Sequence, residues 1–188
     1  GTLIISCGRE KFEYTTFRTD SYPEGSGVHK PDSVIFTDDI EKDCRRRDFR
    51  CNAIYYDIKR EKLVDPLCGA EDVEKKLLRT TRAAEGVFSE DGLRIMRLIR
   101  FVSTLGFTPD GEAVLAAKKL SGRLKDVSAE RIRDELDKTL KGANVVNAMQ
   151  LMLSTGALRQ VIPELAENEG VEQPANVHKY DALTHAFH

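Results

Sequence analysis

The sequence has few of the features that mark several large protein classes. It contains no run of 18 consecutive apolar residues and no charged-then-apolar leader, so a membrane-spanning or secreted protein is not expected. The cysteines, Cys7, Cys44, Cys51 and Cys68, show no CxxC spacing. This argues against a zinc knuckle and a disulfide framework, and it favours a reducing cytoplasm.

The chain also lacks a strong charge of either sign. It has 29 Lys and Arg against 31 Asp and Glu, so binding to a nucleic acid would require a local basic patch. Hydrophobic residues make up 40% and charged residues 32% of the chain, which is typical of a folded protein and not of a disordered one. Its 188 residues suffice for one sizeable core or two small domains.

The first third has the alternation that is typical of β-strands. We predict strands at 2–6 and 11–18, the second with Phe12 and Tyr14 on one face and Glu13 on the other. Residues 19–40 are rich in turn formers, which predicts an exposed, mobile loop containing a short strand at 33–36. A hairpin is expected between residues 52 and 66, and a short helix at 70–78.

The hydrophobic period changes to about 3.6 at Ser89, which predicts a helix with Ser89 as its N-cap and Gly106 as its C-cap. Further helices are expected at 111–121, 128–141 with Ser128 as the cap, 144–155 and 158–166. The buried stripe of the first helix is predicted to comprise Leu93, Met96, Ile99, Phe101 and Val102. The fold class is therefore α+β, with a β-rich part joined to a helical array near residues 79–88.

Arginines are concentrated in two places. In "EDGLRIMRLIR" (90–100), Arg94, Arg97 and Arg100 follow Asp91 at spacings of three and form a slanted polar ridge. A solvated helix face would explain this ridge, but such a face would accept Lys equally, whereas phosphate and base edges favour Arg. In "RRRDF" (45–49), one arginine could pair with Asp43 or Asp48, or the cluster could hold a triphosphate.

"RRRDFRCNAIYYD" (45–57) resembles the "RRDFTxNA" signature of the tRNA nucleotidyltransferase/poly(A) polymerase family, class II of the polymerase-β-like superfamily, and bacterial CCA-adding enzymes in particular. Further matching motifs occur in the family's order: "FEYTTFR" (12–18), "VIFTDDIEKDCRRRD" (34–48), "LVDPLCGAEDVEKKLLRT" (63–80), "FSEDGLRIMRLIRFVSTLGF" (88–107), "VSAERIRDEL" (127–136) and "GALRQVIPEL" (156–165).

The resemblance implies a partial nucleotidyltransferase head at 1–80, a helical neck that binds the base and RNA at 81–170, and the start of an HD-like body at 171–188. It implies that Arg47 and Asp48 contact the phosphates and ribose of a nucleotide, and that Asp91 and Arg94 read its base. The remaining implied contacts are Arg97 and Arg100 to the nucleotide, and Glu13 as a catalytic carboxylate beside the metal site.

The implied base reader has a physical rationale. Cytosine and adenine both present an amino donor beside a ring-nitrogen acceptor, which a carboxylate and a guanidinium can match. Uracil and guanine present the reverse pattern and would leave buried polar groups unpaired, at roughly 1–3 kcal/mol each. One Asp–Arg pair could thus accept CTP and ATP without a template.

The implied reaction is attack of the 3′-hydroxyl of a tRNA acceptor end on CTP or ATP, with two Mg²⁺ ions. The family's "GGxVRD" and "DxD" elements do not occur in the sequence, so we expect a fragment that is inactive alone. A poly(A) polymerase, an A-adding enzyme and a non-catalytic RNA-binding fragment remain alternatives. The tail holds His178, Asp181, His185 and His188, which could be a metal site of an HD phosphohydrolase or a fraying terminus.

Overall fold

Residues 2–21, 33–171 and 182–187 are described by the computed structural model. Within them, the strands pair two by two, with β1–β2, β3–β4 and β5–β6 antiparallel and β7–β8 parallel. The strands are β1 Thr2–Cys7, β2 Glu10–Thr15, β3 Arg18–Ser21, β4 Ser33–Phe36, β5 Tyr55–Asp57, β6 Lys62–Val64, β7 Leu77–Leu78 and β8 Thr108–Pro109.

The helices follow one another closely in the second half of the chain. They are α1 Ile40–Arg45, α2 Gly69–Glu74, α3 Ala84–Glu90, α4 Leu93–Leu105, α5 Gly111–Leu120, α6 Ala129–Leu140, α7 Val145–Ser154, α8 Ala157–Val161, α9 Pro163–Ala166 and α10 Ala182–Phe187. Short 3-10 helices lie at Arg50–Asn52 and Ser121–Asp126. The predicted α+β class is confirmed.

The predicted strand at 11–18 is two strands in the structure. β2 ends at Thr15 and β3 begins at Arg18, because Phe17 turns to pack edge-on against Tyr55, with ring centroids 5.5 Å apart. The backbone carbonyl of Phe17 accepts a hydrogen bond from the N–H of Thr37 at 3.0 Å. The predicted short strand at 33–36 is confirmed as β4, while the central part of the predicted loop, 22–32, lies outside the described residues.

The hairpin predicted between 52 and 66 is confirmed as β5–β6. The helix predicted at 70–78 is shorter, since α2 ends at Glu74 and Lys76 adopts a positive φ of 53°. The next two residues form β7, which pairs with β8 and so joins the segment before α3 to the segment after α4.

The prediction that Ser89 is the N-cap of the long helix is wrong. α3, which was not predicted, continues through Ser89, whose hydroxyl donates to the carbonyl of Gly86 at 3.0 Å. The chain becomes extended at Asp91, and α4 begins at Leu93, whose N–H donates to Oδ1 of Asp91 at 3.0 Å. Asp91 therefore accepts a hydrogen bond from a backbone N–H at the start of α4, which is the capping role predicted for Ser89.

α4 lies at the centre of the helical core, where it packs against α6 and α7. Every residue of the predicted stripe is buried, and so are Ile95 and Leu98 on the flanks. Gly106 has a φ of 66° and donates its N–H to Val102, so the predicted C-cap is confirmed. The buried surface of α4 gives this helix a fixed position against its neighbours.

The later helices agree with the sequence pattern except at two points. Ser128 precedes α6 as predicted, but its side chain makes no capping bond. The single helix predicted at 158–166 is divided into α8 and α9. The break lies at Ile162, because Pro163 cannot donate an N–H and disfavours helical geometry in the residue before it.

Candidate nucleotide-binding cavity

A cavity of about 570 Å³ lies where the end of β2, the turn after α1 and the start of α4 meet. Its size is within the range of small-molecule sites. Six arginines and two aspartates are among the residues that line it, an excess of four positive charges. Such a lining is suited to a polyanion, and arginine in particular offers paired donors to phosphate oxygens.

The structure brings together five of the six residues predicted to bind a nucleotide. The cavity is lined by Arg47, Asp48, Asp91, Arg94 and Arg97. These residues come from two segments more than 40 positions apart, so the arginine-rich turn and the start of α4 line one cavity.

Arg47 is held in place by protein contacts on several sides. Its Nε and Nη2 donate to Oδ2 of Asp43 at 3.1 and 3.0 Å, and its Nη1 donates to the carbonyl of Asn52 at 3.1 Å. Its guanidinium carbon lies 5.1 Å from the centroid of the Tyr55 ring. The pKa of Arg47 is raised: burial would lower it, but the charges and hydrogen bonds of Tyr55 and Asp43 outweigh burial.

Asp48 is almost fully buried and joins the turn to α4. Its Oδ1 accepts from the N–H of Phe49 at 2.8 Å and from Nδ2 of Asn52 at 3.1 Å, and its Oδ2 accepts from Nε of Arg97 at 2.5 Å. Burial would raise the pKa of Asp48, but Arg97 and these hydrogen bonds outweigh it and hold the pKa below its ordinary value. Asp48 is therefore ionised and links the arginine-rich turn to α4 through Arg97. A contact between Asp48 and a ribose would come in addition to these protein contacts.

Asp91 and Arg94 face the cavity together. Oδ2 of Asp91 accepts from Nη2 of Arg131 at 2.8 Å, which fixes the carboxylate from the side of α6. Arg94 donates from Nη1 to the carbonyl of Val87 and to Oε2 of Glu90, both at 3.1 Å, and from Nη2 to the carbonyl of Arg46 at 2.8 Å. These bonds orient the guanidinium and leave further N–H groups for a ligand.

Two predicted site residues lie outside the cavity. Arg100 donates from Nε to Oε2 of Glu135 at 2.5 Å and stacks over Phe101, so it faces α6. The reason is the geometry of the helix. Side chains three residues apart point in directions that differ by about 60°, so Arg100, six residues after Arg94, points about 120° away from it. Glu13 is exposed on β2, on the same strand face as Thr15, which does line the cavity. The roles implied for Arg100 and Glu13 stay predictions.

The cavity also contains residues that sequence reasoning did not assign to it. Arg18, Arg46 and Arg131 line it, each from a different segment. Arg46 stands in the arginine run and could have been selected, but nothing in the sequence connects Arg131 with Asp91, which lies 40 residues away.

The described residues do not form a metal centre. No group of three or more His, Cys, Asp or Glu side chains among them could hold a metal ion. Glu13 therefore has no partner carboxylates of that kind in the described part of the chain, and the residues of that part do not fit the implied Mg²⁺ pair. In the tail, only His185 of the predicted ligands is described, so that hypothesis lies outside the described residues.

The four cysteines are free thiols. Among the described helices, none combines the length and the apolar character needed to cross a membrane.

Two family models match the chain. The model described as "Poly A polymerase head domain" matches residues 1–79, and the model described as "Probable RNA and SrmB- binding site of polymerase A" matches residues 106–169. Between them lie α3 and α4, which supply Asp91, Arg94 and Arg97 to the cavity.

Curated relatives and a solved structure agree with these models. The chain is 37% identical over 184 residues to the CCA-adding enzyme of Geobacillus kaustophilus (strain HTA426), covering 98% of this chain and 45% of the relative. It is 40% identical over 170 residues to the CCA-adding enzyme of Geobacillus thermodenitrificans (strain NG80-2), and this match covers 89% of this chain and 40% of the relative. The chain thus spans less than half the length of these relatives.

Among solved structures, the chain is similar to the Bacillus stearothermophilus CCA-adding enzyme in complex with CTP. The TM-score is 0.74 at 36% identity, and the match covers 84% of this chain and 37% of that one.

Proposed function

Because the chain belongs to the tRNA nucleotidyltransferase/poly(A) polymerase family, we propose that its cavity binds CTP and ATP and that the whole protein adds C and A residues to the 3′ end of tRNA. The observation that carries the proposal is that Asp91 and Arg94 line the same cavity as Arg47, Asp48 and Arg97. The residues proposed to read the base and those proposed to bind the phosphates thus line one cavity of a size that suits a small molecule.

Base selection follows from hydrogen-bond polarity. The carboxylate of Asp91 accepts a hydrogen bond from the exocyclic amino group that cytosine and adenine share, and the guanidinium of Arg94 donates one to the neighbouring ring nitrogen. Arg131, Val87 and Glu90 fix both groups before a ligand arrives, so little rotamer entropy is lost on binding. Uracil and guanine would set acceptor against acceptor and donor against donor.

The phosphate end is assigned to the arginine-rich turn. Arg46, Arg47 and Arg97 supply positive charge to oxygens of the triphosphate, and they would stabilise the charge that develops when a 3′-hydroxyl attacks the α-phosphorus and pyrophosphate leaves. The described residues are assigned to nucleotide binding and base selection. They contain no group of carboxylates that could hold a metal ion.

The tRNA acceptor end is the proposed partner. Residues 89–133 contain nine Lys and Arg against six Asp and Glu, a local excess in a chain whose net charge is −2, and this favours contact with an RNA backbone. The family model that matches residues 106–169 is that of an RNA-binding site, which supports the same partner. The free thiols fit a cytoplasmic location, which we propose on that ground.

The test is calorimetric titration of the chain with each of the four ribonucleoside triphosphates. We expect CTP and ATP to bind at least about tenfold more tightly than UTP and GTP, which corresponds to roughly 1–3 kcal/mol for one mismatched polar pair. Asp91→Ala should abolish this preference, and Arg94→Lys should weaken it because lysine keeps the charge but not the planar pair of donors.

Arg133→Ala is the matched control, since it removes one exposed positive charge from α6 without altering the cavity lining. Equal affinity for all four nucleotides in the unaltered chain, or binding of none, would contradict the proposal.

A further inference from the structure

Asp43 is a buried carboxylate that collects hydrogen bonds from four residues directly behind the cavity. Its Oδ1 accepts from Nε of Arg46 at 2.8 Å and from the N–H of Arg18 at 3.2 Å, and Nη2 of Arg46 lies 2.7 Å away. Its Oδ2 accepts from Nε and Nη2 of Arg47 and from the hydroxyl of Tyr55 at 2.6 Å. Asp43 itself has no exposed surface and does not line the cavity.

The bonds to Arg46 and Arg47 have the same geometry. Each guanidinium turns its Nε–Nη2 edge to one oxygen of Asp43, and the side chain then lines the cavity. Two donors on one acceptor restrict the plane of a guanidinium as well as its position. One carboxylate therefore fixes two adjacent arginines that would otherwise repel one another and sample many rotamers.

Further contacts make this arrangement rigid. Tyr55 places its ring beside the guanidinium of Arg47 and packs edge-on against Phe17, while its hydroxyl donates to Asp43. Oδ2 of Asp20 lies 3.7 Å from Nη1 of Arg46. Burial would raise the pKa of Asp43, but the Tyr55 hydroxyl, Arg46 and the Arg18 N–H outweigh it, so the pKa lies below its ordinary value and the carboxylate is ionised.

We infer that Asp43 is a positioning residue that holds Arg46 and Arg47 in the orientation in which they bind the triphosphate of the nucleotide. The inference rests on the proposed function for the site, and it assigns to Asp43 the phosphate end alone. Base selection is assigned to Asp91 and Arg94, which are fixed by other groups: Asp91 by Arg131, and Arg94 by Glu90 and by the backbone carbonyls of Val87 and Arg46.

The chain supplies a matched control for this inference. Asp72 is also fully buried and ion-paired to an arginine, Arg79, whose Nε donates to Oδ1 of Asp72 at 2.6 Å. The side chains of Arg79 and Arg47 are exposed to the same extent, 30%. Neither Asp72 nor Arg79 lines the cavity. A substitution at Asp72 therefore reproduces the loss of a buried carboxylate without affecting the site.

The experiment compares Asp43→Asn, Tyr55→Phe and Asp72→Asn in the full chain by titration with inorganic tripolyphosphate, CTP, ATP and UTP. In Asp43→Asn the amide must turn its NH₂ toward one of the two guanidinium groups, so at least one arginine loses its position. We expect affinity for tripolyphosphate, CTP and ATP to fall by about tenfold or more, with the ratio of CTP to UTP affinity unchanged.

Tyr55→Phe removes one bond to Asp43 and keeps the charge, and a two- to threefold loss of the same affinities is expected, in the range of about one weakened hydrogen bond. Asp72→Asn should lower the melting temperature while leaving every dissociation constant unchanged. A purely structural effect of Asp43→Asn would reduce the fraction of protein that binds without changing the dissociation constant of that fraction.

A second measurement covers the case in which Asp43→Asn folds poorly. The Nε–H NMR signals of Arg46 and Arg47, assigned through Arg46→Lys and Arg47→Lys, should be protected from exchange with solvent in the unaltered chain, and Tyr55→Phe should reduce that protection for Arg47.

Three outcomes would overturn the inference: wild-type affinity for tripolyphosphate in Asp43→Asn, a loss of base preference without a loss of tripolyphosphate affinity, or unprotected Nε–H signals in the unaltered chain. If the unaltered chain binds tripolyphosphate but all four nucleotides equally, the proposed function fails while the role of Asp43 stands.

Discussion

The strand-rich and helical parts of this molecule bury their apolar side chains to very different extents. In α4, Ile95 and Ile99 have no exposed surface, whereas Ile4 of β1 and Phe12 of β2 are 67% and 57% exposed. The buried hydrophobic cluster begins at Phe49, and no described residue before it belongs to that cluster. The helices thus have a core of their own, while the described hairpins depend on strand pairing, which is marginal for two strands alone.

This difference shows how the cavity is built. On the side of α4, Arg94 and Arg97 stand on a helix that is fixed by close apolar packing, and Asp91 lies just before its first residue. On the side of the strands, Arg18, Arg46 and Arg47 are fixed by a polar network centred on Asp43. One wall therefore depends on the hydrophobic effect, and the other depends on hydrogen bonds and charge, so the two walls should respond to different perturbations.

The largest expected effect tests the difference in burial directly. Ile99→Ala should lower the free energy of unfolding by about 2–5 kcal/mol, because it leaves a cavity beside α6 and α7. Ile4→Ala, which truncates the same side chain in β1, should change it by no more than about 0.5 kcal/mol. Urea denaturation followed by circular dichroism measures both. Equal losses would mean that β1 is buried by a contact that the described structure does not contain.

A smaller effect is expected where the start of α4 lies close to the 3-10 helix Ser121–Asp126. A Cβ on Gly92 would lie 2.7 Å from the carbonyl oxygen of Arg123, so Gly92→Ala should destabilise the chain by about 1–3 kcal/mol. Gly122→Ala is the control, because no heavy atom lies within 4 Å of its added Cβ. Gly92 has a φ of −57° and a ψ of −25°, which alanine adopts readily, so backbone strain does not explain a loss at this position. A Gly92→Ala variant as stable as Gly122→Ala would show that the backbone of Arg123 moves aside at little cost.

Periodicity predicted most elements, because strand and helix patterns are local. It failed at Ser89, since a serine followed by acidic residues resembles an N-cap whether or not another helix precedes it. It also gave no reason for Gly92, which the sequence alone presents as a weak point of a helix. The structure supplies the reason, which is the backbone of Arg123.

Sequence motifs predicted individual residues of the cavity but not the contacts between distant residues. Asp48 and Arg97 could each be selected from a motif, but their mutual bond at 2.5 Å could not, because 49 residues separate them. Arg131 carries no local signal for its bond to Asp91. Asp43 was considered only as a possible partner of one arginine, and its bonds to Arg18, Arg46, Arg47 and Tyr55 require the positions of three separate segments.

The polar wall should also be the part that responds to acid. The pKa values of Asp43 and Asp48 lie below the ordinary value of 3.8 in the folded chain. A carboxyl group of this kind stabilises the folded state fully above its unfolded pKa, and it loses that contribution as pH falls through the lower folded value. The difference in unfolding free energy between the unaltered chain and Asp48→Asn should therefore be constant above about pH 5 and shrink below about pH 4. Ile99→Val, which alters only the apolar wall, should give a difference that does not change with pH. Urea titrations at several pH values measure both differences, and a constant difference for Asp48→Asn down to acid unfolding would mean that this carboxylate is not held ionised by Arg97.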